Sequence, residues 1–236
     1  SAVVRSVQQT DIPIDSPDIS FSDSKLLYKQ YRDYLHTLGI PQRVAKTAFL
    51  KAEKTQTHYM HDIAQRNQRA LQASLQAGRH AILLAGRPYH TDPLIQHRVS
   101  HMLAEMGIDV LTEDIVRDED IDITDTHFLA QWSYPNRIMR AAQWCTQQPT
   151  NVQFVQMTSF GCGPDAFAVD EIRDLLLRHN RVHTLLKLDD INNVGSMKLR
   201  VRSLIESLKM ASLQDKHSPK RDFITTPPYD SDALGR

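Results

Sequence analysis

The chain changes its hydrophobic rhythm near residue 80. Before that point apolar residues are sparse and recur at helical spacing. Leu26, Leu27, Leu35 and Leu38 mark a first helix from Ser24, stopped by Gly39-Ile40-Pro41. A longer run from Gln42 to Gln76, rich in Ala, Lys and Gln, carries Val44, Phe49, Ile63, Leu71 and Leu75 and ends before Gly78. That pattern predicts a helix with a broad polar face, packed along one narrow stripe. Residues 1 to 23, with Pro13, Pro17 and scattered acids, show no period and read as a loosely held arm.

From Ala81 short apolar runs alternate with helical segments. The runs are Ala81–Ala85, Asp109–Thr112, Val152–Met157 and Thr184–Leu188. The continuous apolar run Ala81–Ala85 suits a buried strand of a parallel sheet. The intervening sequence predicts helices over Pro93–Met106, from an N-cap at Asn136 to Gln148, and over Asp165–Arg178, with a last helix over Ser196–Met210. Strands separated by helices imply right-handed βαβ crossovers and a parallel sheet. The expected class is therefore α/β: a Rossmann-like or flavodoxin-like parallel sheet of about four strands with flanking helices, plus an N-terminal helical extension. The expected organisation is an arm (1–23), a helical extension (24–80), a parallel α/β domain (81–210) and a C-terminal tail (211–236).

Composition narrows the partners. Lys plus Arg is 28 and Asp plus Glu is 28, so no net field draws the chain to nucleic acid or to an anionic membrane. No window approaches the ~18 consecutive apolar residues of a membrane span, and no signal peptide opens the chain. Two cysteines, Cys145 and Cys162, make no disulfide framework, and a reducing, cytoplasmic setting is expected. A start at Ser1 rather than Met points to a processed or excised piece of a longer protein.

The chemistry gathers where the strands end. Ala81–Ala85 runs into Gly86-Arg87-Pro88-Tyr89-His90-Thr91-Asp92, and the second strand runs into Thr112-Glu113-Asp114. The third runs into Ser159-Phe160-Gly161-Cys162-Gly163-Pro164-Asp165, and the fourth into Asp189-Asp190. In a parallel sheet these four clusters share the carboxyl edge, where open α/β sheets hold their ligand crevice. Gly86 permits a tight turn and close backbone approach. Arg87 suits a two-point grip on a phosphate or carboxylate, and His90 titrates near neutral pH. Without ligand, the same residues make a turn in which Arg87 pairs with an acid. Glycine spacing fits neither a phosphate-cradling loop nor a dinucleotide fingerprint. Cys162, between two glycines before a helix, sits where a thiolate is favoured for metal ligation or nucleophilic use, though a small buried cysteine in a turn is the commoner fate. The acid pairs default to helix caps, Cys145 to packing, and Lys198 with Arg202 to a solvated helix face. His97 and His101 share a helix face at i,i+4, but no His-Glu-x-x-His motif accompanies them.

Taken together, Ala85-Gly86-Arg87-Pro88-Tyr89-His90-Thr91-Asp92-Pro93, Leu111-Thr112-Glu113-Asp114, Ser159 to Ala166, and Leu186-Lys187-Leu188-Asp189-Asp190 followed by Gly195, Arg200 and Arg202-Ser203-Leu204 resemble one family. It is the bacterial acyl-CoA dehydratase activase-related, or CoA-substrate-specific enzyme activase, family, and the likeness runs from about Leu38 to Leu208. The resemblance implies an ATP-binding activase portion upstream, followed by a portion similar to 2-hydroxyacyl-CoA dehydratase subunits. Those subunits hold a [4Fe–4S] or double-cubane cluster on Rossmann-like half domains. By that likeness Cys162 falls at a cluster-ligand position, with an incomplete ligand set in this chain, and ATP belongs to the upstream part. Gly86, Arg87, Tyr89, His90 and Asp92 would line the crevice, with Glu113, Asp114, Asp189 and Asp190 shaping its polarity. The implied role is ATP-coupled, low-potential electron transfer toward a CoA-thioester, with the upstream activase portion or a dehydratase-type subunit as partner and no turnover by this piece alone. Two rivals accompany it: a non-redox docking module for CoA, a small anion or a partner subunit, and a metal-dependent hydrolase built on His90 and the carboxylates.

Overall fold

A computed structural model describes residues 15–124, 132–159, 163–188 and 194–215. The chain divides into two compact units, Ser1–Ile63 and Ala64–Arg236, and the division falls inside a helix.

In the first unit, α1 (Ser24–Thr37) starts where the Asp23 carboxylate accepts the Leu26 N–H at 2.7 Å. A side-chain oxygen at that position satisfies one of the donors that every helix start leaves open. The helix stops at Leu38, and Gly39 takes φ +73°, a left-handed conformation cheap only for glycine. The second helix, α2, spans Gln42–Gln76, as its composition predicts. Its Phe49 meets Tyr28 and Tyr31 of α1 at ring-centroid separations of 5.0 and 5.6 Å. Such tilted aromatic pairs add to the area they bury.

The second unit is a four-stranded, all-parallel sheet in the order β2-β1-β3-β4. The strands are β1 (Ala81–Ala85), β2 (Asp109–Thr112), β3 (Val152–Thr158) and β4 (Thr184–Lys187). Central β1 pairs with β2 from Ala81↔Asp109 to Leu84↔Thr112, and with β3 from Ala81↔Val152 to Ala85↔Gln156. Among the described residues this unit also holds the end of α2 and the helices α3 (Val99–Glu105), α4 (Ser133–Thr146), α5 (Gly163–Arg178) and α6 (Val194–Asp215).

Side chains alternate along each strand, so β1 and β3 feed two cores. Ala81, Leu83, Ala85, Val152 and Phe154 pack with Leu71 of α2 and with α4 and α5. Ile82, Leu84, Val155 and Met157 pack with α3 and α6 on the other face. The helices fall this way because β1 to β2 steps one way along the sheet, whereas β2 to β3 and β3 to β4 step the other. Right-handed crossovers then put α3 opposite α4 and α5. The α/β class and the four parallel strands stand as read from sequence.

Two helix starts differ from expectation. The helix expected from Pro93 begins at Val99 instead. The Asp92 carboxylate takes the Leu94 and Ile95 N–H groups at 2.8 and 3.1 Å, closing a local turn. His97 and Arg98 then adopt φ 51° and 58°, which breaks any helix through them. His97 and His101 therefore do not share one helix face. The helix expected after an Asn136 cap begins at Ser133, with Trp132 as an extended cap residue. Pro135 fits its first turn, where its missing N–H is no loss. The last helix is longer than read, reaching Asp215; residues 216–236 of the expected tail lie outside the described residues, as do residues 1–14 of the arm.

Phe154 is fully buried between α4 and α5, so Phe154→Ala is expected to remove about 3–5 kcal/mol of stability in urea unfolding. Leu177, on the outer face of α5, is exposed, and Leu177→Ala should change stability by less than about 0.5 kcal/mol. Equal losses at the two positions would contradict the assigned faces.

Candidate functional site

The site grows from the end of β1. Gly86 leads into a 3-10 turn, Pro88–Thr91, that turns the His90 ring back beneath it. A Cβ on Gly86 would lie 2.5 Å from His90 Nδ1 and 3.2 Å from His90 Cβ and Cγ, so only glycine leaves room for the imidazole. His90 is 0% exposed. Its Nδ1 accepts the Arg87 backbone N–H at 3.0 Å, and its Nε2 lies 3.1 Å from Ser159 Oγ at the end of β3. The Tyr89 hydroxyl reaches the same Ser159 oxygen at 3.1 Å, and the Tyr89 and His90 rings meet edge to face at 4.5 Å.

Arg87 crosses to α5. Its Nη2 and Nε donate to Asp165 at 2.7 and 3.0 Å, and the carboxylate is buried in the first turn of that helix. A two-point guanidinium–carboxylate pair beside a helix N-terminus is strong in geometry and in field. The grip available to a ligand is thus occupied by an acid of the same chain. Burial, ahead of the other causes, lowers the pKa of His90; Asp165 pulls it back up and Arg87 pushes it further down. An Nδ1 that accepts a backbone N–H carries no proton, so the hydrogen bonds fit a neutral ring with both nitrogens engaged within the chain.

A second network sits at the end of β2. Thr112 is held by Asn67 of α2, whose Oδ1 accepts the Thr112 N–H at 2.7 Å. Asp114 accepts from Arg117 at 2.5 Å, from Arg137 at 3.0 Å and from the Thr112 hydroxyl at 3.2 Å. Glu113 is only 4% exposed and lies 3.6 Å from Arg137. Desolvation pushes its carboxyl up to about 7, against its own backbone hydrogen bond and the arginines. Glu113 and Asp114 answer to Arg137 and Arg117 rather than to Arg87.

Of the residues singled out from sequence, Gly86, Arg87, Tyr89 and His90 come together with β3 and α5, while Asp92 caps its turn on the exposed side. Cys162, Asp189 and Asp190 lie outside the described residues. Lys198 and Arg202 are exposed on α6. Ser159 and Asp165 are the partners that sequence reasoning left without a role; proximity to a strand end was their one signal. Cys145 is buried in α4, where its Sγ donates to the Val152 carbonyl oxygen at 3.7 Å and burial pushes the thiol up to about 12. Among the described residues no group of three or more His, Cys, Asp or Glu is placed to hold a metal ion. Each unit holds a cavity of its own among the described residues. One of about 510 Å³ is lined by Phe21, Tyr31 and Phe49 among others, and one of about 490 Å³ by His183, Leu199 and Arg200 among others. No described helix is long and apolar enough to cross a membrane.

The strand order places the first network. Leaving β1, the chain goes to β2 on one side, and β3 lies on the other, so the topological switch point is between β1 and β3. Ligand crevices of open α/β sheets open there. Residues 1–116 match the family described as CoA enzyme activase uncharacterised domain. The chain carries a CoA enzyme activase-related domain. No curated protein and no solved structure gave a significant match. The matched stretch ends with the 3-10 turn Glu113–Val116, so Ser159 and Asp165 lie beyond it.

Gly86→Ala is expected to cost about 1–3 kcal/mol in urea unfolding, because the added methyl displaces a buried ring; a neutral result would mean the loop is not built around His90. Titration gives a second test. Between about 4.5 and 7 the folded chain keeps a proton on Glu113 that the unfolded chain has lost, so this group makes stability fall as pH rises. His90 and His183, the latter lowered to about 4 mainly by burial, act oppositely: below 6.5 the unfolded chain takes up protons that the folded chain refuses. Glu113→Gln should therefore stabilise the protein at pH 8 by up to about 3 kcal/mol and steepen its loss in acid. A variant that keeps the wild-type pH profile in urea unfolding would refute the buried protonated carboxyl.

Proposed function

We propose that this chain is the dehydratase-like, ligand-binding part of a larger activase-related iron–sulfur protein. Its role is ATP-coupled, low-potential electron transfer toward CoA-thioester-type substrates in the cytoplasm. The observation that carries this reading is the Arg87, His90, Ser159 and Asp165 network at the β1–β3 switch point, in a chain whose first 116 residues match an activase family.

The described residues do three things in this scheme. Gly86 and His90 fix the turn, the Arg87–Asp165 pair fastens it to α5, and Tyr89 stands at the exposed rim. Preorganised polar groups of this kind orient a ligand without being ordered by it. Cys162 comes after the same strand in sequence, and a [4Fe–4S] or double-cubane cluster there would draw its other ligands from the upstream portion or a partner subunit. ATP would bind upstream as well.

The preformed turn also supports a rival without redox chemistry, in which the crevice docks CoA, a small anion or a partner subunit. Anaerobic reconstitution of the longer protein separates the two. The electron-transfer reading expects Cys162→Ala to lose iron and visible absorbance. Unchanged iron content in that variant, together with acetyl-CoA binding in air that depends on Arg87 and is indifferent to Cys162, would leave the docking module.

A further inference from the structure

The hydrogen bonds around Ser159 have a direction. A backbone N–H only donates, so the Arg87 N–H makes His90 Nδ1 an acceptor without a proton. A neutral imidazole then carries its proton on Nε2, which donates to Ser159 Oγ. Ser159 is buried, and its own hydroxyl proton still needs an acceptor. Among the described residues that acceptor is the Tyr89 oxygen, 3.1 Å away. The opposite order, Tyr89 donating to Ser159, would leave the serine proton buried without a partner among the described residues. With Ser159 donating, the tyrosine proton is left over, and Tyr89 is 41% exposed.

We infer that Tyr89 is a ligand-binding hydrogen-bond donor, set by a one-way relay from His90 through Ser159, and that it takes an acceptor-only oxygen of an acyl or phosphoryl group. This deepens the crevice reading above and rests on it for the place of the ligand. Ser159 and His90 are positioning residues, and of the three it is Tyr89 that touches the ligand. A phenol whose oxygen already accepts from Ser159 offers its O–H outward, so it selects carbonyl, carboxylate or phosphoryl oxygens over donors.

The test is isothermal titration of the full chain with acetyl-CoA, coenzyme A and inorganic phosphate. Tyr89→Phe removes one oxygen from a residue that lies outside the core, and thermal melts verify folding. It should weaken whichever probe binds by about 5- to 10-fold. Ser159→Ala should weaken it less, and the double variant should bind no worse than Tyr89→Phe, because Ser159 acts through Tyr89. A thioester-carbonyl contact weakens acetyl-CoA alone, whereas a phosphoryl contact weakens coenzyme A and phosphate too. Phosphate binding that depends on Tyr89, without any acetyl-CoA binding, upholds the donor and sinks the CoA-thioester reading. Acetyl-CoA binding that ignores Tyr89→Phe does the reverse. The inference is overturned if none of the three probes binds the wild-type chain. It is equally overturned by a neutron structure that places the tyrosine deuteron on the Ser159 side.

Discussion

One buried imidazole ties the carboxyl edge together. His90 has no exposed surface, yet it touches the backbone after β1 with one nitrogen and the hydroxyl after β3 with the other. Burying a polar ring is costly unless each nitrogen finds a partner. Both are found, and the arrangement determines much else. Gly86 must lack a side chain, Arg87 must present its N–H inward, and its guanidinium is then directed across to Asp165. The ends of β1 and β3 are thereby joined through one ring.

The end of β2 obeys a different logic. There a carboxyl is buried beside two arginines that a second, better placed carboxylate already occupies. Asp114 receives the direct contacts, and Glu113 is left at 3.6 Å from Arg137 with its charge poorly compensated. A group in that position holds a proton near neutrality, which perturbed sites of catalytic proteins share with purely structural networks. Its neighbours point toward α2 and α4 rather than toward the β1 loop.

Much of this architecture is legible in the chain itself. Short apolar stretches mark the strands, continuous in Ala81–Ala85 and interrupted by polar residues in the other three, and α2 has the limits its composition implies. The features that cannot be read are those that depend on a distant partner. Pro93 looks like a helix start, but the His97 ring reaches the Leu188 carbonyl, and the backbone near it bends into left-handed conformations. Asn136 looks like a cap, yet the first turn is built around Pro135 upstream of it. Arg87 advertises a charge but not its acceptor, which lies 78 residues away. Local signals report the element; pairing across the sheet reports the site.

The strand order also bears on where this protein can be divided. Because β3 enters beside β1 rather than beyond β2, the family's matched stretch contains one outer strand and one inner strand. Cutting after residue 116 would strip β1 of its partner along Ala81–Ala85 and open an apolar ribbon to solvent. A boundary drawn from kinship is thus not a boundary for autonomous folding, since the half-sheet inside it takes its next strand, β3, from beyond that boundary.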